Sequence, residues 1–95
     1  MTTTTRHTNP QIEFSRLFCL ATAVILNDMP PANESAEEQQ QRMETIARII
    51  AADERTKALR SDPQTDAITL RANAMYWRET ADELAVLLKA RGILS

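Results

Sequence analysis

Glycine, cysteine and histidine each occur once in this chain of 95 residues, and their scarcity argues against several kinds of active site. A phosphate-binding loop needs glycines in front of a helix, whereas Gly92 follows a helical pattern. A zinc site needs about four ligands, and a thiol nucleophile needs a histidine partner. Cys19 lies in an apolar run and His7 in a polar segment far from it. We therefore expect no enzyme, no metal ion and no cofactor.

Long hydrophobic runs are also missing. The most apolar stretch, Leu17–Leu26, has nine apolar residues out of ten, but a helix needs about 20 such residues to cross a bilayer. The breaker Pro30-Pro31 follows closely. This stretch predicts a buried helix with neighbours on more than one side. Residues 1–8 are polar where a secretory signal would carry an apolar core, so we expect a cytoplasmic protein.

Aromatic residues make up only 4% of the chain. Together with the single glycine, this disfavours a sheet with many tight turns and indicates an all-α fold. Asn9-Pro10 and Asp62-Pro63 each place a capping side chain before a proline, which is typical of a helix start. Ser35 and Glu38 have the spacing of a capping box. We predict a three-helix bundle with helices over 10–26, 36–60 and 63–91, a flexible tail over 1–8 and a single domain over 9–95.

Apolar periodicity predicts which face of each helix points inward. In the second helix the inward stripe is Met43, Ile46, Ala47 and Ile50, with Ile49 beside it. The pattern thins at Asp53, where the helix either continues or frays. The third helix has a heptad seam consisting of Ala67, Leu70, Ala74, Trp77, Ala81, Leu84 and Leu88. Gly92 fits its left-handed end.

The third helix carries a second apolar stripe, formed by Ile68, Ala72, Met75 and Val86. The first helix is too short to cover both stripes, because a helix rises only about 1.5 Å per residue. We expect the surplus surface to be buried by dimerisation through the third helix or by docking onto another protein. The alternative is a monomeric bundle in which the three helices cover everything.

The best candidates for contact with a partner lie on the third helix. Tyr76 and Met75 have the chemistry of interface anchors, and an acidic cluster with little local compensation follows them. The candidate set is Met75, Tyr76, Arg78, Glu79, Asp82 and Glu83. A solvated helix face is the alternative interpretation of the acidic cluster. We therefore expect a small interaction protein that inhibits or adapts another protein, as bacterial and phage accessory proteins of this size do.

A dimeric DNA-binding regulator is the alternative function. Its contacts would come from arginines, chiefly Arg42, Arg48, Arg55 and Arg71. The net charge of −2 gives no general attraction to nucleic acid. Glu38 and Glu44 also stand four residues before Arg42 and Arg48, the spacing of helix ion pairs. A protein partner is therefore expected rather than nucleic acid or a membrane.

Overall fold

The computed structural model describes residues 10–94, with side chains from Glu13 onward. It consists of three helices, α1 (Pro10–Asp28), α2 (Ala36–Ser61) and α3 (Ala67–Ala90), with no strand in this part of the chain. The predicted all-α three-helix bundle is confirmed. None of these helices is both long and apolar enough to cross a membrane. The predicted tail over residues 1–8 and the cap at Asn9 lie outside the described residues.

α1 is the central helix. It packs along both α2 and α3, which contact each other at few positions. Its buried residues Cys19 and Ala23 meet Ile49 of α2 and Trp77 and Leu84 of α3 in one core. The sequence prediction that α1 has neighbours on more than one side is confirmed.

The heptad seam of α3 also packs inward as predicted. Trp77, Leu84 and Leu88 are buried, while Leu70, Ala74 and Ala81 are partly buried and Ala67 is exposed. The second stripe of α3 stays at the surface, since Ile68, Met75 and Val86 are all more than half exposed. The helices of one chain therefore leave apolar surface uncovered.

The inward face predicted for α2 is wrong. Met43 and Ile50 are 52% and 54% exposed, and Ala47 is exposed as well. Ile46 is partly buried and Ile49 completely buried. The buried positions of α2 are Arg42, Ile49, Asp53 and Thr56. The helix turns a largely polar face inward because α1, α3 and the α1–α2 loop supply partners for each of the three polar side chains.

Arg42 connects three elements near one end of the bundle. Its Nη1 donates to the carbonyl of Leu26 at 2.8 Å, which satisfies a free carbonyl in the last turn of α1. Its Nε and Nη2 donate to the two carboxylate oxygens of Glu34 at 2.7 and 3.0 Å. Arg91, after α3, also donates to Glu34, at 3.3 Å. The loop between α1 and α2 is thus tied to all three helices.

A second ionic cluster ties α1 to α2 near the opposite end. Arg16 pairs with Asp53 across the helices and with Glu13 at 2.8 Å within α1. Arg60 reaches Glu13 at 2.9 Å, and Lys57 lies 3.4 Å from Asp53 as their spacing indicates. Burial raises the pKa of Glu13, but its bonds to Arg60 and Arg16 outweigh this and lower the pKa overall. α2 runs unbroken past Asp53 to Ser61.

The predicted start of α3 at residue 63 is wrong, because the chain forms a turn there. The Asp62 carboxylate accepts from the amide of Gln64 at 2.9 Å, and the Asp62 carbonyl accepts from the amide of Thr65 at 3.1 Å. Aspartate followed by proline is also the preferred opening of a type I turn. Asp66 caps the helix instead by accepting from the amide of Thr69 at 2.8 Å. That backbone bond lowers the pKa of Asp66.

The predicted cap of α2 and the predicted left-handed end of α3 are confirmed. Ser35 and Glu38 form the capping box of α2, with reciprocal bonds of 3.1 and 2.9 Å. Gly92 has a φ of +74° after α3. Its amide donates to the carbonyl of Lys89 at 3.0 Å, and the next amide, of Ile93, donates to the carbonyl of Leu88 at 2.8 Å. These two bonds define a Schellman motif, for which the left-handed conformation of glycine is required.

Candidate functional site

A groove of about 480 Å³ lies between α2 and α3. It exists because the two helices have few contacts of their own and are joined mainly through α1. From Glu13 onward, no residue of α1 lines the groove. The lining residues are Arg48, Ala51, Ala52, Arg55 and Leu59 of α2, and Thr69, Ala72, Asn73 and Tyr76 of α3. The three alanines leave room for the backbone of another helix to approach closely.

The charge of the groove is positive. Arg48 and Arg55 contribute two guanidinium groups, and no lining residue is acidic. Arg48 lies 3.3 Å from Glu83 of α3, but both side chains are at least half exposed, so this pair contributes little to stability. Arg55 forms no ion pair or hydrogen bond with any residue from 13 to 94. The groove therefore favours a negatively charged ligand, even though the whole chain carries a net charge of −2.

Asn73 adds hydrogen-bond donors to the groove. The buried indole of Trp77 donates to the Thr56 hydroxyl at 2.8 Å, and that hydroxyl donates to Oδ1 of Asn73 at 3.0 Å. The indole nitrogen can only donate, so the Thr56 hydroxyl accepts from it, and the Thr56 proton points toward the oxygen of Asn73. The Asn73 amide NH₂ is then left for the groove, where an acceptor on a ligand can use it.

Tyr76 is the one predicted partner-binding residue that lines this groove. It is 36% exposed, and its ring packs edge-on against Trp77 with 5.6 Å between centroids. Glu83 lines a second hollow, which shares Arg48 with the groove and is also lined by Gln41, Glu44 and Leu87 among others.

The other predicted partner-binding residues lie outside the groove. Met75, Arg78, Glu79 and Asp82 are exposed on α3. The three charged ones form no ion pair with another described residue. The structure therefore brings together part of the predicted set and leaves the rest beside it.

The arginines proposed for DNA contact do not share one surface, since only Arg48 and Arg55 line the groove. Arg42 is buried and held by Glu34, while Arg48 bridges to Glu83. The local ion pairs expected from spacing do not form, since Glu38 bonds the backbone amide of Ser35 and Glu44 accepts from Gln40. Arg55 and Arg71 stay exposed. The surface charge on which the DNA-binding hypothesis depends is reduced accordingly.

Sequence reasoning missed the roles of Asn73 and the three alanines. The alanines of α2, Ala51 and Ala52, directly follow the apolar pair at 49–50 and look like ordinary helix formers. Of the three alanines, the sequence pattern places only Ala72 in an apolar stripe, the second stripe of α3. The sequence feature that could have indicated the groove is the polar residue Asn73 beside the heptad seam.

Across residues 13–94, no three histidine, cysteine, aspartate or glutamate side chains come together as metal ligands. Burial raises the pKa of the Cys19 thiol to about 11, against a smaller opposing effect of Arg48, so this cysteine is a poor nucleophile. No known protein family, curated protein or solved structure matches the chain significantly. The arguments for function therefore depend on the geometry of the groove.

Proposed function

We propose that this chain is a non-catalytic interaction protein whose α2–α3 groove receives an acidic amphipathic helix of a partner protein. The observation that supports this is a groove lined by three alanines and two guanidinium groups, with no carboxylate in its lining. Amphipathic helices dock into such grooves through apolar anchors at helical spacing. Occupying that helix would inhibit the partner or connect it to another protein.

Each part of the groove corresponds to a part of the ligand. The alanines and Leu59 face the apolar side of the incoming helix, and Tyr76 supplies an aromatic contact of the kind found at interface hot spots. Arg55 is free to pair with a carboxylate. Arg48 can exchange its exposed partner Glu83 for a ligand carboxylate, because exposed ion pairs are weak. The Asn73 amide donates to a carboxylate or a free carbonyl.

Site-specific photocrosslinking tests the proposal. The full chain would carry a benzophenone amino acid in place of Tyr76, and a matched chain would carry it in place of Val86, which is 69% exposed on α3 but outside the groove. Both are irradiated in a bacterial lysate, and the crosslinked peptides are identified by mass spectrometry. We expect a protein adduct at position 76 alone, on a peptide that is acidic and helical.

Charge reversal supplies the second part of the test. Arg55→Glu is expected to reduce crosslinking at position 76 at least tenfold. Arg71→Glu changes the net charge equally on an exposed residue outside the groove and should have little effect. Equal crosslinking at positions 76 and 86, an adduct on a basic peptide, or a nucleic-acid adduct would overturn the proposal.

A further inference from the structure

One face of α1 is apolar and uncovered. Phe14, Leu17 and Val24 are 68%, 53% and 59% exposed, and Ala21 is exposed between them. These four residues, which we call the α1 seam, follow one another at steps of three, four and three. That alternation is the a/d spacing of a coiled coil. The opposite side of α1 is the one buried against α2 and α3, so the described residues of the chain leave the seam bare.

We propose that the α1 seam is the interface of an antiparallel homodimer. A two-fold axis midway between Leu17 and Ala21 places Leu17 of each copy opposite Ala21 of the other. The same axis places Phe14 opposite Val24. Every layer then combines a larger side chain with a smaller one, which is the complementarity that close packing requires. A symmetric interface must be self-complementary in this way.

The charge pattern also favours a second copy over a foreign partner. Residues 17–27 contain no charged side chain, so the seam offers nothing to an acidic or basic ligand. The two-fold axis brings Asp28, at the end of α1, beside Pro10 of the second copy, where α1 begins. A carboxylate is stabilised at the N-terminus of a helix by the helix dipole. An antiparallel pair therefore places favourable charges at both ends of an uncharged seam.

The second stripe of α3, which the sequence suggested for dimerisation, is less suited to this role. Glu79 and Asp82 interrupt it and are exposed, and self-association would bring carboxylates together and desolvate them. The α1 seam is short, since ten residues of helix span about 15 Å. We expect it to bury less than the roughly 800 Å² per partner of a standard interface. Its dissociation constant should therefore be micromolar, on the order of 10 μM.

Sedimentation equilibrium between about 1 and 500 μM brackets this dissociation constant. We expect a monomer–dimer equilibrium that Leu17→Glu shifts at least tenfold toward monomer. Val86→Glu, an equal change on an exposed residue of α3, should leave the equilibrium unchanged. Circular dichroism checks that both variants keep the helical content of the parent. A chain that is monomeric at all concentrations, or a dimer broken by Val86→Glu and not by Leu17→Glu, would overturn the proposal.

Disulfide trapping tests the orientation and does not depend on Leu17→Glu folding. One preparation carries Leu17→Cys and another Ala21→Cys, and both keep the buried Cys19. When the two are mixed under mild oxidation, an antiparallel pair should give the mixed disulfide between positions 17 and 21 in preference to either symmetric one. Predominance of symmetric disulfides would indicate parallel pairing and contradict the proposed arrangement.

Discussion

The side chain of Thr56 connects α2 to α3 through two hydrogen bonds. Among the residues from 13 to 94, its hydroxyl is the one acceptor for the buried Trp77 indole and the one donor to Oδ1 of Asn73. It therefore links the core to the groove and fixes which end of the Asn73 amide faces a ligand. The hydroxyl at position 56 therefore contributes both to the α2–α3 contact and to the polarity of the groove.

Thr56→Val keeps the shape of the side chain and removes its hydroxyl. The Trp77 N–H is then buried without an acceptor, and such a group costs about 1–3 kcal/mol. We expect the free energy of unfolding to fall by that amount, measured by urea denaturation with Trp77, the one tryptophan of the chain, as the fluorescent probe. Thr45→Val is the matched control, because the Thr45 hydroxyl bonds only a carbonyl of its own helix. Equal losses in the two variants would contradict the role given to Thr56.

Residue by residue, the sequence predicts positions whose role is local. The capping residues Ser35 and Glu38 and the left-handed Gly92 are read correctly because the groups they contact are a few residues away. Trp77 is read correctly because its seam repeats over several turns. The roles of Asn73 and Thr56 could not be predicted from the sequence. These two residues are 17 positions apart and meet only when α2 and α3 lie side by side.

At the scale of the element, α2 shows where hydrophobic periodicity fails. Ile46 and Ile49 fit two different inward faces, one completed by Met43 and Ile50 and one by Arg42 and Asp53. The face completed by Met43 and Ile50 would bury more hydrocarbon surface. The polar choice prevails because Arg16 on α1 and Glu34 in the loop complete the buried charges, and neither partner is visible from the sequence of α2.

The start of α3 was ambiguous for a different reason. Asp62 and Asp66 are both capable helix caps, and each begins a short segment with favourable local chemistry. Proline directly after Asp62 suits a first helical position and a turn equally well. The second cap, with Thr69 as its partner, was available four residues later, so spacing alone could not choose between them.

The ion pair through which Glu34 attaches the α1–α2 loop to the bundle depends on pH. Its bonds from Arg42 lower its pKa from the ordinary 4.5, against the opposing effect of partial burial. A lowered pKa in the folded state means that the carboxylate stabilises the fold above pH 4.5 and that this contribution is lost as the pH falls through the lowered value. Glu34→Gln should therefore lower the melting temperature at pH 7 more than at pH 3.

Melting curves followed by circular dichroism at the two pH values measure this difference. Glu79→Gln is the control, since Glu79 is exposed and has no ion pair within the described residues. Glu13 and Asp66 also have lowered pKa values, so Glu34→Gln should reduce the pH dependence without abolishing it. A variant whose stability falls equally at pH 3 and pH 7 would show that the Glu34 charge contributes nothing.

For the whole molecule, thickness explains why so much apolar surface remains exposed. The bundle measures 51 × 24 × 19 Å, and a helix with its side chains is about 10–12 Å across. Every helix therefore has an outward face, including the central one.

The α1 seam belongs to α1 and the groove only to α2 and α3, so a dimer formed through the seam would keep two grooves open. Two weak sites on one particle bind a divalent partner with added avidity.

The central position of α1 also predicts which part of the chain unfolds last. Because α2 and α3 contact each other little, neither keeps its partner when α1 separates, so the opening of α1 should coincide with global unfolding. In native-state hydrogen exchange at low protein concentration, we expect the amides of Cys19–Leu26 to exchange slowest, with the opening free energy of the whole chain. A pair of α2 and α3 that stays protected after α1 exchanges would contradict this.

Raising the concentration should slow exchange further if α1 also forms the dimer, because association stabilises the folded state by mass action. Slow exchange of α1 that appears only at high concentration would instead assign its stability to the dimer.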